Sequence, residues 1–306
     1  MKYAAGVDIG GTNSRVALVN DDMEVVKRVQ FPTDTSDPEG TLARLGDIIK
    51  SFKDEGYDIE GIGISCPGPL DLINGNVLDT PNLGKPWNYF PIVRRLQEIT
   101  GKPTFLENDA NLAALAEATV GDGKDKRFVQ FLTVSTGLGS GQVIDKEIYI
   151  GAHGFGHEVA NVIMWKDGPQ EGNISAGGIE AISSGTAITC RAREAGLDVA
   201  HAGEVNDLAV AGNPIAAEIM DDAKEYLANF IAALIAITDP EIVILGGSVA
   251  LKIDGFVEDV ESRVTAKVYD VVKPYVDVRK SSLNEDSGLL GAAYLGFSKT
   301  NTPVQI

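Results

Sequence analysis

A carboxylate stands beside a turn with almost no side chains near the start of the chain. Asp8 lies near the end of a short apolar strand, and Gly10, Gly11 and Thr12 follow it. Glycines let backbone N–H groups approach an anion closely, and a threonine adds a hydroxyl group. Asp8 could also serve a phosphate-bound Mg²⁺, directly or through water. This turn predicts phosphate binding, although it matches neither G-x-x-x-x-G-K-[ST] nor G-x-G-x-x-G, and an ordinary hairpin turn is the alternative.

Two further glycine turns are predicted in the second half of the chain, each after a buried strand. One covers residues 136–141 and begins with Thr136 and Gly137. The other contains Gly246 and Gly247 and leads into a helix, where backbone N–H groups point outward. Three such turns at strand ends favour a site that grips a polyphosphate.

Asn108 and Asp109 lie where a predicted strand ends and a predicted helix begins. Open α/β sheets bind their ligands at the carboxyl ends of strands. In phosphoryl transfer to an alcohol, a carboxylate at such a place orients the hydroxyl group and accepts its proton. Asp109 is therefore a candidate general base. The alternative is that Asn108 or Asp109 only caps the helix.

Glu158 and Glu180 occur in glycine-rich surroundings. A solvated surface position is the ordinary explanation for either one. Together with Asn82 and Asn108 they would offer the acceptors and donors that suit a polyol, whose hydroxyl groups both donate and accept. Sequence spacing alone does not bring these four residues together.

The elements that must position these residues alternate between strand and helix, which indicates an α/β fold. A strand, a glycine turn and a second strand occur once in each half of the chain, and each set predicts a hairpin. We expect a smaller domain at 1–119, with a C-terminal helix at 288–306 as a candidate to complete it, and a larger domain at 120–287. The predicted strands are 3–9, 15–19, 62–65, 103–106, 128–135, 142–144 and 242–245, and the predicted helices are 37–55, 110–118 and 215–237.

The composition is that of a globular protein, with 306 residues, 44% hydrophobic and 23% charged. There are 26 Lys and Arg residues against 44 Asp and Glu residues, a net charge of −18, which disfavours nucleic acid or an anionic membrane as a partner. Two cysteines, Cys66 and Cys190, are too few for a disulfide framework or a cysteine-based zinc site. No signal-peptide pattern or membrane-length apolar run is visible, so we expect a cytoplasmic protein.

Ten stretches of the sequence resemble the ROK family of sugar kinases and repressors, especially its glucokinase-like members. They follow one another in the family's order and cover almost the whole chain. The matching stretches are DIGGTN (8–13), CPGP (66–69), TPNL (80–83), ENDAN (107–111), TGLG (136–139), GAHGF (151–155), GGIE (177–180), SGT (184–186), DPEIVILGG (239–247) and GLLGAA (288–293).

The resemblance implies an actin-like (ribonuclease-H-like) fold of two domains with a ligand cleft between them, binding of ATP with Mg²⁺ and a sugar, and a homodimer. It implies that Asp109 is the catalytic base. The positions that it implies for other roles are Gly68, Asn82, Asn108, Glu158 and Glu180 for the sugar, Gly10, Gly11, Thr12, Thr136 and Gly137 for the phosphates, and Gly246 and Gly247 for the nucleoside.

Two departures from the family pattern concern its structural zinc. Asn161 stands where the family usually has a histidine that binds both the zinc and the sugar. The places of three cysteine ligands fall on Glu171, Asn173 and Gly178. Because all four ligands are replaced together, we expect no zinc and a loop held by other contacts. Asn161 can still hydrogen-bond to a sugar.

The leading hypothesis is an ATP-dependent, glucokinase-like hexose kinase. The alternatives are a kinase for fructose, N-acetylmannosamine, N-acetylglucosamine or a β-glucoside, and a sugar-binding sensor without catalysis. Another actin-like ATPase or an acyl-phosphate kinase is a further alternative, but the ENDAN stretch and Glu180 favour a sugar as the acceptor. DNA binding, as in the repressor branch, is disfavoured by the charge and by a first strand that begins at residue 3.

Overall fold

The computed structural model describes residues 1–80, 82–283 and 286–302. The chain divides into two compact units. Unit 1 consists of Met1–Lys124, Lys146–Gly156 and Glu285–Ile306, and unit 2 consists of Asp125–Asp145 and His157–Asn284. Compared with the predicted division at 119/120, unit 1 extends to residue 124 and also includes 146–156.

The strands are β1 (Tyr3–Ile9), β2 (Asn13–Asn20), β3 (Val25–Pro32), β4 (Ile59–Cys66), β5 (Leu70–Asp71), β6 (Asn76–Val77), β7 (Thr104–Asn108), β8 (Phe128–Val134), β9 (Leu138–Ile144), β10 (Glu147–Ile148), β11 (Ile242–Gly246) and β12 (Val278–Lys280). The α-helices are α1 (Pro38–Asp54), α2 (Ile92–Thr100), α3 (Asp109–Thr119), α4 (Ile179–Ser183), α5 (Gly185–Glu194), α6 (Ala202–Val210), α7 (Pro214–Thr238), α8 (Gly247–Lys252), α9 (Phe256–Lys267) and α10 (Ser287–Lys299).

The sheet of unit 1 has the strand order β3-β2-β1-β4-β7. β1 and β2 form the predicted antiparallel hairpin, while β4 is parallel to β1 and β7 is parallel to β4. The register places Asp8 opposite Arg15 on one side and Ser65 on the other, and Cys66 opposite Asn108. The carboxyl ends of β1, β4 and β7 therefore lie side by side.

Helix α10 packs directly on the sheet of unit 1 and on α3. A side chain at Gly63 would clash with the carbonyl group of Ala292 in α10. In the same way, a side chain at Gly291 of α10 would clash with the carbonyl group of Leu112 in α3. These contacts between backbones hold α3 in a fixed position, and Asp109 is the first residue of α3.

The sheet of unit 2 repeats the pattern of unit 1. β8 and β9 form an antiparallel hairpin, β11 is parallel to β8, and β12 is parallel to β11. Helix α7 begins at Pro214, because the Asn213 side chain accepts from the N–H groups of Ile215 and Ala216 and proline suits the first helical turn. Buried apolar side chains of α7, among them Leu227 and Ile231, belong to the core of this unit.

The predicted glycine turn at 136–141 is too long. β9 begins at Leu138, so that the turn is Ser135–Gly137 and the later glycines lie within a strand. Gly141 pairs with Phe131 of β8. Glycine in a strand commonly marks a close approach of neighbouring groups rather than a turn, which explains the error. The other predicted strands and helices are confirmed with ends that shift by a few residues. The predicted C-terminal helix at 288–306 ends at Lys299, and its last positions, 303–306, lie outside the described residues.

Candidate active site

Asn108 and Asp109 form a corner between the last residue of β7 and the first residue of α3. The Asn108 Oδ1 atom accepts from the Ala110 N–H at 2.9 Å and from the Asn111 N–H at 3.4 Å, so Asn108 is the N-cap of the helix. The Asp109 Oδ1 atom accepts from the Ala110 N–H at 2.8 Å. Asp109 is exposed, and the positive end of α3 interacts favourably with its carboxylate. The cap is therefore Asn108, and the candidate base Asp109 is the next residue.

Asp8 is held by two groups at the neighbouring strand ends. The Arg15 side chain donates to Asp8 Oδ2 from Nε at 3.0 Å and from Nη2 at 2.6 Å. Ser65 Oγ donates to Asp8 Oδ1 at 2.9 Å. Burial raises the pKa of the Cys66 thiol, and the charges of Asp109 and Asp8 raise it further. Cys66 is therefore a neutral, buried group between two carboxylates.

The first glycine turn, Gly10–Thr12, is packed against the segment that contains Asn82. A side chain at Gly11 would clash with the backbone carbonyl group of Asn82, so glycine is required there. Asn82 itself is exposed. Gly68, another predicted sugar residue, is half-buried and precedes a cis peptide bond to Pro69.

The second glycine turn, Ser135–Gly137, has a carboxylate from a distant element against it. Glu180 of α4 accepts from the Leu138 N–H at 2.7 Å. A Cβ at Gly137 would lie 2.7 Å from the same Glu180 oxygen. Burial raises the pKa of Glu180, and the hydrogen bond from Leu138 opposes this shift. Glu180, which the resemblance assigns to the sugar, therefore also borders a turn assigned to the phosphates.

A cavity of about 370 Å³ lies in unit 1 and a larger one, of about 730 Å³, in unit 2. The larger one is lined by Thr136 from the second turn and by Ser248, which follows Gly247. Gly247 has a φ of 86°, and a Cβ there would lie 2.5 Å from the Val134 carbonyl oxygen. The rest of this wall was not predicted from the sequence; it includes Thr186, Arg193, Asn206, Asp207 and Lys252. Of these residues, only Thr186 could have been identified from the sequence, because it belongs to the SGT stretch.

Asn161, in the place of the family's histidine, closes a loop that runs to α4. Its Oδ1 atom accepts from the Ser175 N–H at 2.8 Å. Glu180 N–H donates to the Ala160 carbonyl oxygen at 3.2 Å, which joins the two ends of the loop. Burial also raises the pKa of Glu158, which lies just before the loop. Unit 2 thus brings Glu158, Asn161 and Glu180 into one region, whereas Asn82 and Asn108 belong to unit 1.

Trp165 anchors the middle of this loop. Its ring stacks on Tyr226 with centroids 4.8 Å apart, and the Arg191 guanidinium lies 5.6 Å from the ring centre. Arg191 is in turn paired with Asp222 at 2.5 Å. Aromatic and cation–π contacts of this kind are worth roughly 0.5–1.5 kcal/mol each. They hold this loop against α5 and α7.

The part of the chain that the structure describes contains no group of three or more His, Cys, Asp or Glu residues arranged to hold a metal ion. Burial lowers the pKa of His157, whose Nδ1 atom lies 3.4 Å from Ser140 Oγ.

Among the residues that the structure describes, no helix has the length and apolarity needed to cross a bilayer.

A family model described as "ROK family" matches residues 4–298. Among curated proteins, a glucokinase of Thermotoga maritima is 34% identical over 94% of this chain and 95% of its own length. An N-acetylmannosamine kinase of Salmonella typhi is 33% identical over 96% of this chain and 98% of its own length.

Two solved structures extend the comparison. A ROK hexokinase of Thermus thermophilus superposes with a TM-score of 0.88 at 32% identity, covering 98% of this chain and 99% of that one. A ROK glucokinase of Streptomyces griseus, solved with glucose and AMPPNP, gives a TM-score of 0.77 at 25% identity, covering 97% and 99%.

Proposed function

The chain belongs to the ROK family, and from that premise we propose that it transfers the γ-phosphoryl group of ATP to a hydroxyl group of a hexose. The observation that carries this proposal is the Asn108–Asp109 corner. It places a carboxylate at the carboxyl end of β7 and at the N-terminus of α3, beside the ends of β1 and β4. The names of the similar kinases support a sugar as the acceptor.

In the proposed reaction, Asp109 accepts the proton of the sugar hydroxyl group while the hydroxyl oxygen bonds to the γ-phosphorus. The bond from that phosphorus to the bridging oxygen breaks, and ADP leaves. Most of the rate enhancement in such a reaction comes from positioning and charge neutralisation rather than from covalent chemistry. The hydrogen bond from the Ala110 N–H to Asp109 Oδ1 supports this role, because it orients the carboxylate.

The glycine turns are proposed to hold the phosphates of ATP, which enters as its Mg²⁺ complex. Gly10, Gly11 and Thr12 would do this in unit 1, and Thr136 and Gly137 in unit 2. Asp8 is already neutralised by Arg15 and hydrogen-bonded by Ser65. This arrangement suits a hydrogen bond to a water molecule on the Mg²⁺ better than direct coordination.

The cavity of unit 2 is proposed to take the nucleoside. Thr136 and Ser248 supply hydroxyl groups, while Arg193 and Lys252 supply positive charge among its walls. Gly246 and Gly247 support this role by shaping the entry to α8 rather than by lining the cavity themselves. The volume of about 730 Å³ lies in the range of pockets for nucleotide-sized ligands.

The sugar is proposed to bind through side chains that can both donate to and accept from its hydroxyl groups. In Asn108 the cap uses only Oδ1, which leaves the amide nitrogen for a ligand. The remaining proposed ligands are Gly68, Asn82, Glu158, Asn161 and Glu180. We further propose a cytoplasmic homodimer without bound zinc or nucleic acid, on the basis of the family pattern, the Trp165 anchor and the charge of −18.

A kinase for N-acetylmannosamine is the second candidate. The Salmonella typhi relative supports it, because its identity of 33% is nearly that of the glucokinase. Asn161, in place of the family's sugar-binding histidine, adjoins the region where the acceptor sugars differ. The sugar panel below separates the two candidates.

The test is ADP release with MgATP and a panel of free sugars: glucose, mannose, fructose, allose, cellobiose and both N-acetylated hexosamines. We expect turnover with one sugar class and a loss of at least about 1,000-fold in kcat in Asp109→Asn, with ATP binding retained. The matched control is Asp37→Asn, which alters another exposed carboxylate at a helix start in unit 1 and keeps a good cap.

Turnover of Asp109→Asn near that of the wild type would reject Asp109 as the base. Absence of ADP release with every sugar, from a folded protein that binds ATP, would favour the alternative of a sugar-binding sensor without catalysis.

A further inference from the structure

Glu107 is a buried carboxylate that directly precedes the proposed corner. Only 6% of its surface is exposed. Its Oε1 atom accepts from the Asn108 N–H at 2.9 Å and from Asn111 Nδ2 at 2.9 Å. These two donors lie on either side of Asp109 in the chain. A single oxygen atom therefore ties the end of β7 to the first turn of α3.

Burying the Asn111 side chain beside this carboxylate is unfavourable for folding. Asn111 is 4% exposed, and within the described residues its Oδ1 atom has no hydrogen-bond partner. The next residues of α3, Leu112 and Ala113, are buried and apolar. An apolar residue would be the ordinary choice at such a position, because burying a carboxylate and a half-satisfied amide opposes folding. The pair therefore calls for an explanation other than stability.

The contacts lead from Glu107 to Asp109 in three steps. Glu107 holds the backbone N–H of Asn108, and the Asn108 side chain accepts from the Ala110 N–H. The same Ala110 N–H donates to Asp109 Oδ1. We infer that Glu107 is a positioning residue, which fixes the Asp109 carboxylate and the Asn108 amide through the Glu107–Asn111 clamp without contacting substrate. This inference rests on the proposed function.

The surroundings of Glu107 allow its two hydrogen bonds to be removed by substitution without a steric clash. Glu107 lines the unit 1 cavity of about 370 Å³ together with Leu106, Leu115 and Lys299. Because there is free space and apolar surface, a leucine at position 107 fits without overpacking. The charge of Lys299 also acts on Glu107 there.

The experiment compares Glu107→Leu with Glu107→Gln in steady-state kinetics. Leucine removes the oxygen atom that accepts both hydrogen bonds, whereas glutamine keeps an amide oxygen that can accept both. We expect kcat of Glu107→Leu to fall about 10- to 100-fold, since a base misplaced by about 1 Å loses rates of this order, while the KM for ATP changes less than about twofold. Glu107→Gln is expected to keep kcat within about threefold.

The matched control is Glu117→Leu, which removes a second buried glutamate, in the helix α3 that follows Glu107. Glu117 lies at the far end of α3, where it accepts from the Asp122 N–H at 3.2 Å. We expect it to lower stability but not kcat. A kcat of Glu107→Leu near the wild-type value, or an equal loss in Glu117→Leu, would overturn the inference. Where Glu107→Leu does not fold, Asn111→Ala opens the clamp from its other side and is expected to lower kcat likewise.

Two further measurements separate this inference from the proposed function. Absence of ADP release with every sugar rejects the proposed function, and near wild-type turnover of Asp109→Asn rejects Asp109 as the base. Either result leaves the clamp to be judged by structure alone. Crystal structures of Glu107→Leu and Glu107→Gln then decide: we expect the Asp109 carboxylate to be displaced only in the leucine variant. An unmoved Asp109 in Glu107→Leu overturns the inference whether or not the protein phosphorylates a sugar.

Discussion

The glycine turns Gly10–Thr12 and Ser135–Gly137 join equivalent hairpins in two units, yet their surroundings differ in charge. At the first turn, Asp8 and Arg15 face each other across the hairpin, and Ser65 adds a hydrogen bond. At the second turn, the corresponding pair of residues is Thr133 and Gly139, which carry no charge. The same backbone pattern thus presents an ion pair in unit 1 and a neutral hairpin in unit 2.

The second turn receives its charge from elsewhere in the chain. Glu180 of α4 lies against Gly137 and accepts from the Leu138 N–H. The carboxylate at the first turn is therefore built into its own strand, whereas the one at the second turn depends on the packing of a distant loop and helix. The difference shows that a turn motif alone does not define the electrostatics of its surroundings.

Replacing one glycine by alanine in each turn is expected to give the largest difference in stability between the two turns. Neither glycine has a positive φ, so only the available space matters. In Gly11→Ala the methyl group meets the backbone of Asn82, which cannot move alone. In Gly137→Ala it meets the end of the flexible Glu180 side chain.

We expect a free energy of unfolding lower by about 1–3 kcal/mol for Gly11→Ala and by less than about 1 kcal/mol for Gly137→Ala, measured as shifts in Tm. Equal shifts would show that both turns are equally constrained.

A smaller effect is expected when the ion pair of the first turn is broken. Arg15→Met leaves Asp8, whose side chain is 15% exposed, without its cation. We expect a loss of about 1–2 kcal/mol in unfolding free energy, because hydrogen bonds to partly buried charges are worth more than exposed ones. Arg28→Met is the control, since Arg28 pairs with Asp286 at the surface, and its loss should stay below about 0.5 kcal/mol. Similar losses in both variants would mean that the Asp8–Arg15 ion pair stabilises the fold no more than an exposed ion pair does.

The smallest expected effect is the pH dependence of stability that Glu180 causes at the second turn. Burial raises the pKa of Glu180, so the folded protein holds this proton to a higher pH than the unfolded chain does. The resulting stability is complete below about pH 4.3, the ordinary value for glutamate, and is lost as pH rises through the raised pKa.

In Glu180→Gln this dependence disappears while the hydrogen bond from Leu138 is kept. The Tm of the wild type minus that of the variant is expected to decrease between about pH 4.5 and 7. A difference that stays constant over this range would contradict the burial of Glu180.

Local pattern was sufficient for much of the fold. Apolar strands, glycine turns and the apolar face of α1 predicted the two hairpins and the strand–helix alternation, because each signal lies within a few neighbouring residues. Asp109 was predicted for the same reason, since it sits at a strand-to-helix junction. The hairpin register also contained a signal that was missed, because it places Arg15 opposite Asp8.

Contacts between distant segments could not be predicted from these patterns. Nothing near Glu180 in the chain indicates that it borders Gly137, and nothing near Trp165 indicates that Tyr226 and Arg191 enclose it. Glu107 was passed over although it adjoins Asp109, because a lone glutamate is normally solvated and its burial depends on the whole unit.

The position of α10 has a consequence for how the protein is made. This helix covers the sheet of unit 1 through the close approach at Gly63, yet it is synthesised after the whole of unit 2. A ribosome must therefore translate unit 2 before α10 can cover the first sheet. Until then the apolar surface of β1 and β4 is exposed on the nascent chain, where it is open to aggregation or to chaperones. The segment that carries Asp109 is translated early but gains its contacts with α10 only after unit 2 has been made.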